Sequence, residues 1–240
     1  MAHSTDPSPW LSIIVPVWRE GPALLPFLED LTAFRRQGAE VILARAEGDI
    51  PLSGECAACT DVVITAPKGR ARQMNAGASV ARGKVLLFLH ADTQLPRNVL
   101  KILRPLAEKS SAAWGRFDVR LSGKHPAFRI IEWMISWRSR LTGIATGDQA
   151  IFVKAQVFRG IGGFPDQPLM EDIEICRTLK SRYGRPVCIR EPVLTSSRKW
   201  EQEGILRTIW LMWSLKLAYY RGASPDVLVK RYYGARYQNE

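Results

Sequence analysis

Short runs of aliphatic and β-branched residues alternate with segments of helical period, and this alternation constrains the fold more than any other feature of the chain. Residues 11–17, Leu-Ser-Ile-Ile-Val-Pro-Val, have the continuous apolar character of a strand buried on both faces of a parallel sheet. Residues 21–36 then place Leu24, Leu25, Leu28, Leu31 and Phe34 along one side of a helix. Strands follow at 40–44 and 61–65, a helix at 69–81 and another buried strand at 84–89. Such an order gives a mostly parallel α/β sheet with right-handed crossovers, whose ligands lie beyond the carboxyl ends of the strands. The segments after Val17, Leu43, Thr65 and Leu89 are therefore where function is expected.

The second half reads differently. A strand is predicted at 112–121, an apolar helix at 125–141, a strand at 150–153, a helix at 171–181 and a strand at 186–189. One long helix over 201–220 and a basic tail close the chain. We expect residues 1–9 to be disordered, 10–200 to form one α/β domain, and 201–240 to be an apolar helix and basic tail packed on it.

Composition narrows the functional classes. With 34 Lys and Arg against 23 Asp and Glu, the net charge is +11, which implies an anionic partner: phosphates of a small ligand, nucleic acid or anionic lipid. The basic residues are dispersed and match no recognition motif, so nucleic acid is not expected. No uncharged apolar run reaches the 18 residues of a membrane span, and the polar start lacks a signal-peptide core. A cytoplasmic protein is expected, in one reading resting on the inner face of the membrane. Cys56 and Cys59 have metal-binding spacing without a second pair, the pattern of reduced thiols in a cytosolic chain.

Three segments carry candidate chemistry. The strand at 84–89 delivers His90-Ala91-Asp92-Thr93; an acidic residue there can hold a divalent cation against a diphosphate, or can cap a turn. Arg70 and Arg72 begin the helix at 69–81, where free N–H groups already favour anions, unless they are a solvated helix end. Glu171, Asp172 and Glu174 open a helix after a glycine turn, as caps or as the source of a general base.

Taken in order, these segments resemble family-2 glycosyltransferases of the GT-A fold. Residues 13–17 look like the opening strand, Asn75-Ala-Gly77 the central helix motif and His90-Ala-Asp92 the metal-binding DxD. Gly162-Gly-Phe164 with Glu171-Asp172 looks like the acceptor-side segment. Longer stretches, including 69–77, 88–93, 115–119, 140–152, 168–172 and 210–213, are similar to a bacterial subfamily found beside radical-SAM proteins and labelled arsenosugar-biosynthesis glycosyltransferases.

The resemblance implies an α/β GT-A fold with a C-terminal helical appendage, and inverting, non-processive sugar transfer from a nucleotide-diphosphate donor to a hydroxyl acceptor. The donor would lie against Pro16, Val17, Arg19 and Glu20, then Arg70, Arg72 and Asn75, then His90 and Ala91, with Asp148 and Arg198 completing the site. Asp92 with His90 would hold Mn²⁺ or Mg²⁺, and Asp172, with Glu171 beside it, would be the catalytic base. Two segments depart from the family pattern. Arg45 stands near the position of a base-contacting Asp, with Glu47 and Asp49 as substitutes, and His90 replaces the first Asp of DxD.

The alternatives are a nucleotidyltransferase, which the glycine-poor residues 16–21 argue against, and a non-catalytic basic membrane-associated module. Trp133, Trp137, Trp210 and Trp213 lie on two apolar helices. Packing within the chain or in a homodimer explains them, as does peripheral contact with a membrane bearing a lipid-linked acceptor.

Overall fold

The computed structural model describes residues 8–108 and 112–234. The expectation of a disordered start falls for residues 1–7 outside the described residues, as does the end of the predicted basic tail from 235. In chain order the elements are β1 (Leu11–Val17), a 3-10 turn (Gly21–Ala23), α1 (Leu24–Arg35), β2 (Ala39–Ala46), α2 (Gly54–Ala58), β3 (Val62–Ala66), α3 (Arg70–Val80) and β4 (Val85–Phe88). Then come β5 (Thr93–Gln94), α4 (Val99–Glu108), β6 (Trp114–Leu121), α5 (Pro126–Thr142), a 3-10 turn (Gly147–Gln149), β7 (Phe152–Lys154) and α6 (Ala155–Ile161). The last are α7 (Glu171–Tyr183), β8 (Val187–Thr195), α8 (Arg198–Glu203), α9 (Ile205–Tyr220) and α10 (Pro225–Tyr233).

The strands form one sheet in the order β3-β2-β1-β4-β7-β6-β8-β5. The first four run parallel, as expected; β7 lies antiparallel between β4 and β6, and β8 is parallel to β6. The sheet is therefore mixed, with the three-residue β7 running against both of its neighbours. Strand order reverses between β1 and β4, which opens a crevice beyond their carboxyl ends.

The reversed direction of β7 decides what reaches that crevice. Because β7 opposes β4, the turn that begins β7 sits at the carboxyl end of β4, and Phe88 N–H donates to Ile151 O at 2.9 Å. β6 and β8 point the same way as β4, so the segments after Leu121 and Thr195 emerge at the same edge. Thr93 of β5 pairs with Thr195 at the end of β8, hydroxyl to hydroxyl at 3.0 Å. That pairing brings Arg198 beside Asp92.

Two apolar layers hold the sheet. One packs α1 and α4 on Leu11, Ile13, Val15, Val41, Leu43 and Leu87. The other packs α3, α6, α7, α9 and α10 on Ile14, Ile42, Leu86 and Phe88. β1 reads as a continuous apolar run because both its faces are covered. The expected helix over 201–220 is broken: Gly204, at φ 86°, separates α8 from α9. A left-handed residue ends a helix, and glycine adopts that conformation without a Cβ penalty. Part of the predicted basic tail is α10, whose Leu228 and Val229 are buried in the second layer.

Candidate active site

At the end of β1 the chain turns sharply at Arg19, φ 54°. Arg19 N–H donates to Asp49 Oδ1 at 2.8 Å, and Asp49 also accepts from Ile50 N–H and faces Arg45 at 3.8 Å. Arg45 thus neutralises Asp49 within the loop after β2, while Glu47 stays exposed. Pro16 and Val17 are buried in the strand, and the side-chain amide of the buried Gln73 donates to Val17 O and Ala44 O at 2.8 Å each. Sequence reasoning missed Gln73, which fastens α3 across the ends of β1 and β2.

The three non-glycine residues with positive φ among the described residues are Arg19, Ala150 and Met170. Each adjoins a candidate segment: the turn after β1, the Asp148 turn, and the start of α7. Such conformations cost energy in L residues and concentrate where the surrounding structure fixes a functional geometry.

Glu20, Asp92 and Asp148 form an acidic neighbourhood. Burial and the Asp92 charge raise the Glu20 carboxyl above its usual pKa. Desolvation raises that of Asp92, and the Asp148 charge adds to it. Arg198, on α8, is the cation facing both Glu20 and Asp92. Asp148 Oδ1 is buried with no hydrogen-bond partner among the described residues. Its turn is held by Gln149, fully buried, whose amide donates to Phe117 O and Ser139 Oγ and accepts from Thr146 N–H.

Across a cavity of about 10 Å³, room for roughly one water, lie His90, Gly147, Glu171 and Asp172. Asp172 accepts from Gly147 N–H on Oδ2 at 2.9 Å and from Ile173 N–H on Oδ1 at 2.8 Å. Glu171 turns the other way, 3.8 Å from Arg70 Nε. Burial pushes the Glu171 carboxyl up to about 7, against the opposing pull of Arg70. Burial and the Arg70 charge push His90 down to about 3, so its imidazole is neutral, and its ring closes against Gly147, where a Cβ would meet it at 2.6 Å.

The side chains of two expected donor-binding residues have partners within the protein. Arg72 turns outward to Asp166 at 2.6 Å and leaves Arg70 as the guanidinium beside Glu171. Asn75 donates to Phe164 O at 2.8 Å and accepts from Phe164 N–H at 2.9 Å, so both ends of its amide clamp the glycine turn before α7. Ala91 lies half-buried between His90 and Asp92.

The C-terminal helices cover the site. Tyr232 on α10, its hydroxyl raised by burial, lies close to Arg70, Asp148 and Asp172, and Lys199 Nζ sits 3.4 Å over its ring. Burial and the neighbouring Arg138 lower Lys216 on α9, which faces Asp172 and Asp148. Arg138 Nη2 is itself buried without a hydrogen-bond partner among the described residues. The signal for Lys216 was its presence as the one lysine inside an apolar helix; Tyr232 gave none. All four cysteines are free thiols, and among the described residues no group of three or more His, Cys, Asp or Glu is spaced to hold a metal ion.

Sheet order and the crevice at the β1–β4 reversal define a GT-A protein, an α/β fold with a central mixed sheet flanked by helices. The chain belongs to glycosyl transferase family 2, whose profile it matches over residues 12–162. No curated protein sequence matches it. S. aureus TarS 1–349 superposes with a TM-score of 0.60 at 14% identity, over 79% of this chain and 61% of that one. In its complex with UDP-GlcNAc the values are 0.62 and 13%, over 78% and 58%. Mannosyltransferase PcManGT from Pyrobaculum calidifontis, in complex with GDP-Man and Mn²⁺, gives 0.58 at 17%, over 79% and 56%. The chain thus spans about three fifths of the length of these proteins. Glu171 and Asp172 lie just beyond the family match.

Proposed function

We propose that this protein is an inverting glycosyltransferase that moves a sugar from a nucleotide-diphosphate donor to a hydroxyl acceptor. The observation that carries the reading is the convergence, at the β1–β4 reversal, of a buried Asp148 carboxylate oxygen without a partner among the described residues, with Asp92 on one side and the Glu171-Asp172 pair on the other. The neighbours that contain UDP-GlcNAc, or GDP-Man with Mn²⁺, support a donor of this class.

Asp92 and Asp148 fit a hard divalent cation, Mg²⁺ or Mn²⁺, of the kind bound by one or two carboxylates plus substrate phosphates. Such a cation would neutralise charge on the leaving diphosphate. Arg198, near Asp92, and Arg70, beside Glu171, add fixed positive charge at the same edge. Asp172 takes the acceptor proton: the Gly147 and Ile173 N–H groups orient its carboxylate, and each oxygen keeps a lone pair. Neutral His90 packs against Gly147 and shapes the wall of the cavity.

The test is donor binding by calorimetry with UDP-, GDP- and dTDP-sugars, with and without Mn²⁺, followed by measurement of nucleotide release. Saturable binding of one sugar nucleotide supports the reading. Absence of binding by all of them with Mn²⁺ present would overturn it.

A further inference from the structure

We propose that the outer faces of α5 and α9 form one surface by which the protein lies on an anionic lipid bilayer. Packing within the chain, one of the expected causes of these tryptophans, does not bury them. Trp133 and Trp137 on α5 are 61% and 46% exposed, and Trp210 and Trp213 on α9 are 71% and 65% exposed. At about 200 Å² per tryptophan, these four side chains put roughly 500 Å² of aromatic surface into water. Exposed apolar area of that size is in the range of patches that are often functional.

The exposed residues are ordered. Ile130, Trp133 and Trp137 follow at helical spacing along α5, and Leu206, Trp210 and Trp213 do so along α9. Ile205 and Ile209 of α9 pack with Phe128 and Ile131 of α5, so the two helices that carry the stripes are in contact. Rotating α9 to hide its tryptophans would expose Thr208 and Leu215, each 1% exposed, the latter seated in the core with Ile173. Neither helix crosses a membrane: among the described residues no helix is long and apolar enough to do so.

Charge selects the occupant. α9 contains no acidic residue, and Glu132, the single acid of α5, is held by Arg129 and by the N–H of Leu121. Arg207 and Arg221 stand exposed at the two ends of α9, and a groove lined by Arg120, Lys124 and Arg129 adjoins the start of α5. Tryptophan with basic residues and no free acid is the composition of an interfacial helix on anionic lipid. A second copy would bring the same arginines face to face on chains of net charge +11.

α5 follows β6 and α8–α9 follow β8, at the sheet edge that carries Asp92 and Asp148. A lipid-borne acceptor would therefore reach the site from the membrane side, a corollary that rests on the transfer reading; bilayer binding does not.

The experiment is co-sedimentation of the full chain with phosphatidylcholine vesicles, with and without phosphatidylglycerol, at low and high salt, with tryptophan emission recorded and no turnover measured. The expected result is about tenfold greater partition onto phosphatidylglycerol vesicles at low salt, weakening at high salt, with a blue-shifted emission. The double variant Trp210→Gln/Trp213→Gln should lose at least about fivefold in partition with an unchanged thermal midpoint, since both side chains are exposed. Protein remaining in the supernatant of both vesicle types overturns the proposal. So does a dimer in sedimentation equilibrium that the same double variant dissociates, because the face then belongs to a second copy.

Discussion

Asp172 at the start of α7 accepts a 2.9 Å hydrogen bond from the backbone N–H of Gly147, 25 residues earlier in the chain. That bond joins the candidate base Asp172 to the turn that carries Asp148, so the positions of these two carboxylates are linked through one peptide unit. The arrangement needs no side chain at 147, where a Cβ would strike His90.

Substituting the base separates the two adjacent carboxylates. Asp172→Asn keeps the shape and removes the basicity, so kcat should fall about 10²–10⁴-fold with donor affinity little changed. Glu171→Gln leaves a base in place and disturbs Arg70, so it should act mainly on donor binding. Steady-state kinetics with calorimetric donor affinities decide this. A fully active Asp172→Asn with a dead Glu171→Gln would exchange the roles.

Metal dependence should follow the acidic neighbourhood. Asp92→Ala and Asp148→Asn are each expected to weaken Mn²⁺-dependent donor binding by roughly 1–3 kcal/mol, the worth of a charge-assisted contact. Chelation should weaken the wild type similarly and the variants much less. Equal donor binding in EDTA and in Mn²⁺ would refute the assignment.

Stability should carry the titration of Glu171. Its folded pKa, about 7, lies above the ordinary 4.5, so the native state holds the proton more tightly than the unfolded chain does. The stabilisation from that proton is complete below the unfolded pKa and is lost as pH rises through about 7, amounting to at most ~3 kcal/mol. Urea unfolding from pH 4.5 to 8 should show this fall in the wild type and a flatter profile in Glu171→Gln. Identical profiles would place Glu171 in a more hydrated setting.

Asn75→Ala tests whether that amide is a clamp or a donor contact. Loss of both bonds to Phe164 should cost about 1–3 kcal/mol of stability. Donor affinity should change far less than in Asp92→Ala. A large loss of donor affinity with an unaltered melting temperature would return Asn75 to the ligand.

The parallel half of the sheet was legible because burial on both faces leaves a continuous apolar run in β1, β2 and β4, and Asp92, Arg70 and Glu171-Asp172 could be read from their places beside such elements. The short helices α2, α4 and α6 and the break at Gly204 were not. Five to ten residues give few turns from which to read a period, and a lone glycine in an apolar stretch looks like a tolerated one.

Direction and partnership lay beyond the sequence. Local pattern does not say whether β7 runs with or against β4, yet its antiparallel course is what brings Asp148 to Asp92. Arg70 and Arg72 are alike by position, and only the placement of Asp166 draws one outward while Glu171 keeps the other. The same holds for the four tryptophans: period marks a helix face as apolar, but its exposure depends on what the rest of the chain packs against it. The sequence determined which segments are strands, helices and charged turns, since those follow from neighbours a few residues apart. Tertiary structure decided which charges meet and which faces stay open, since those contacts join residues far apart in the chain.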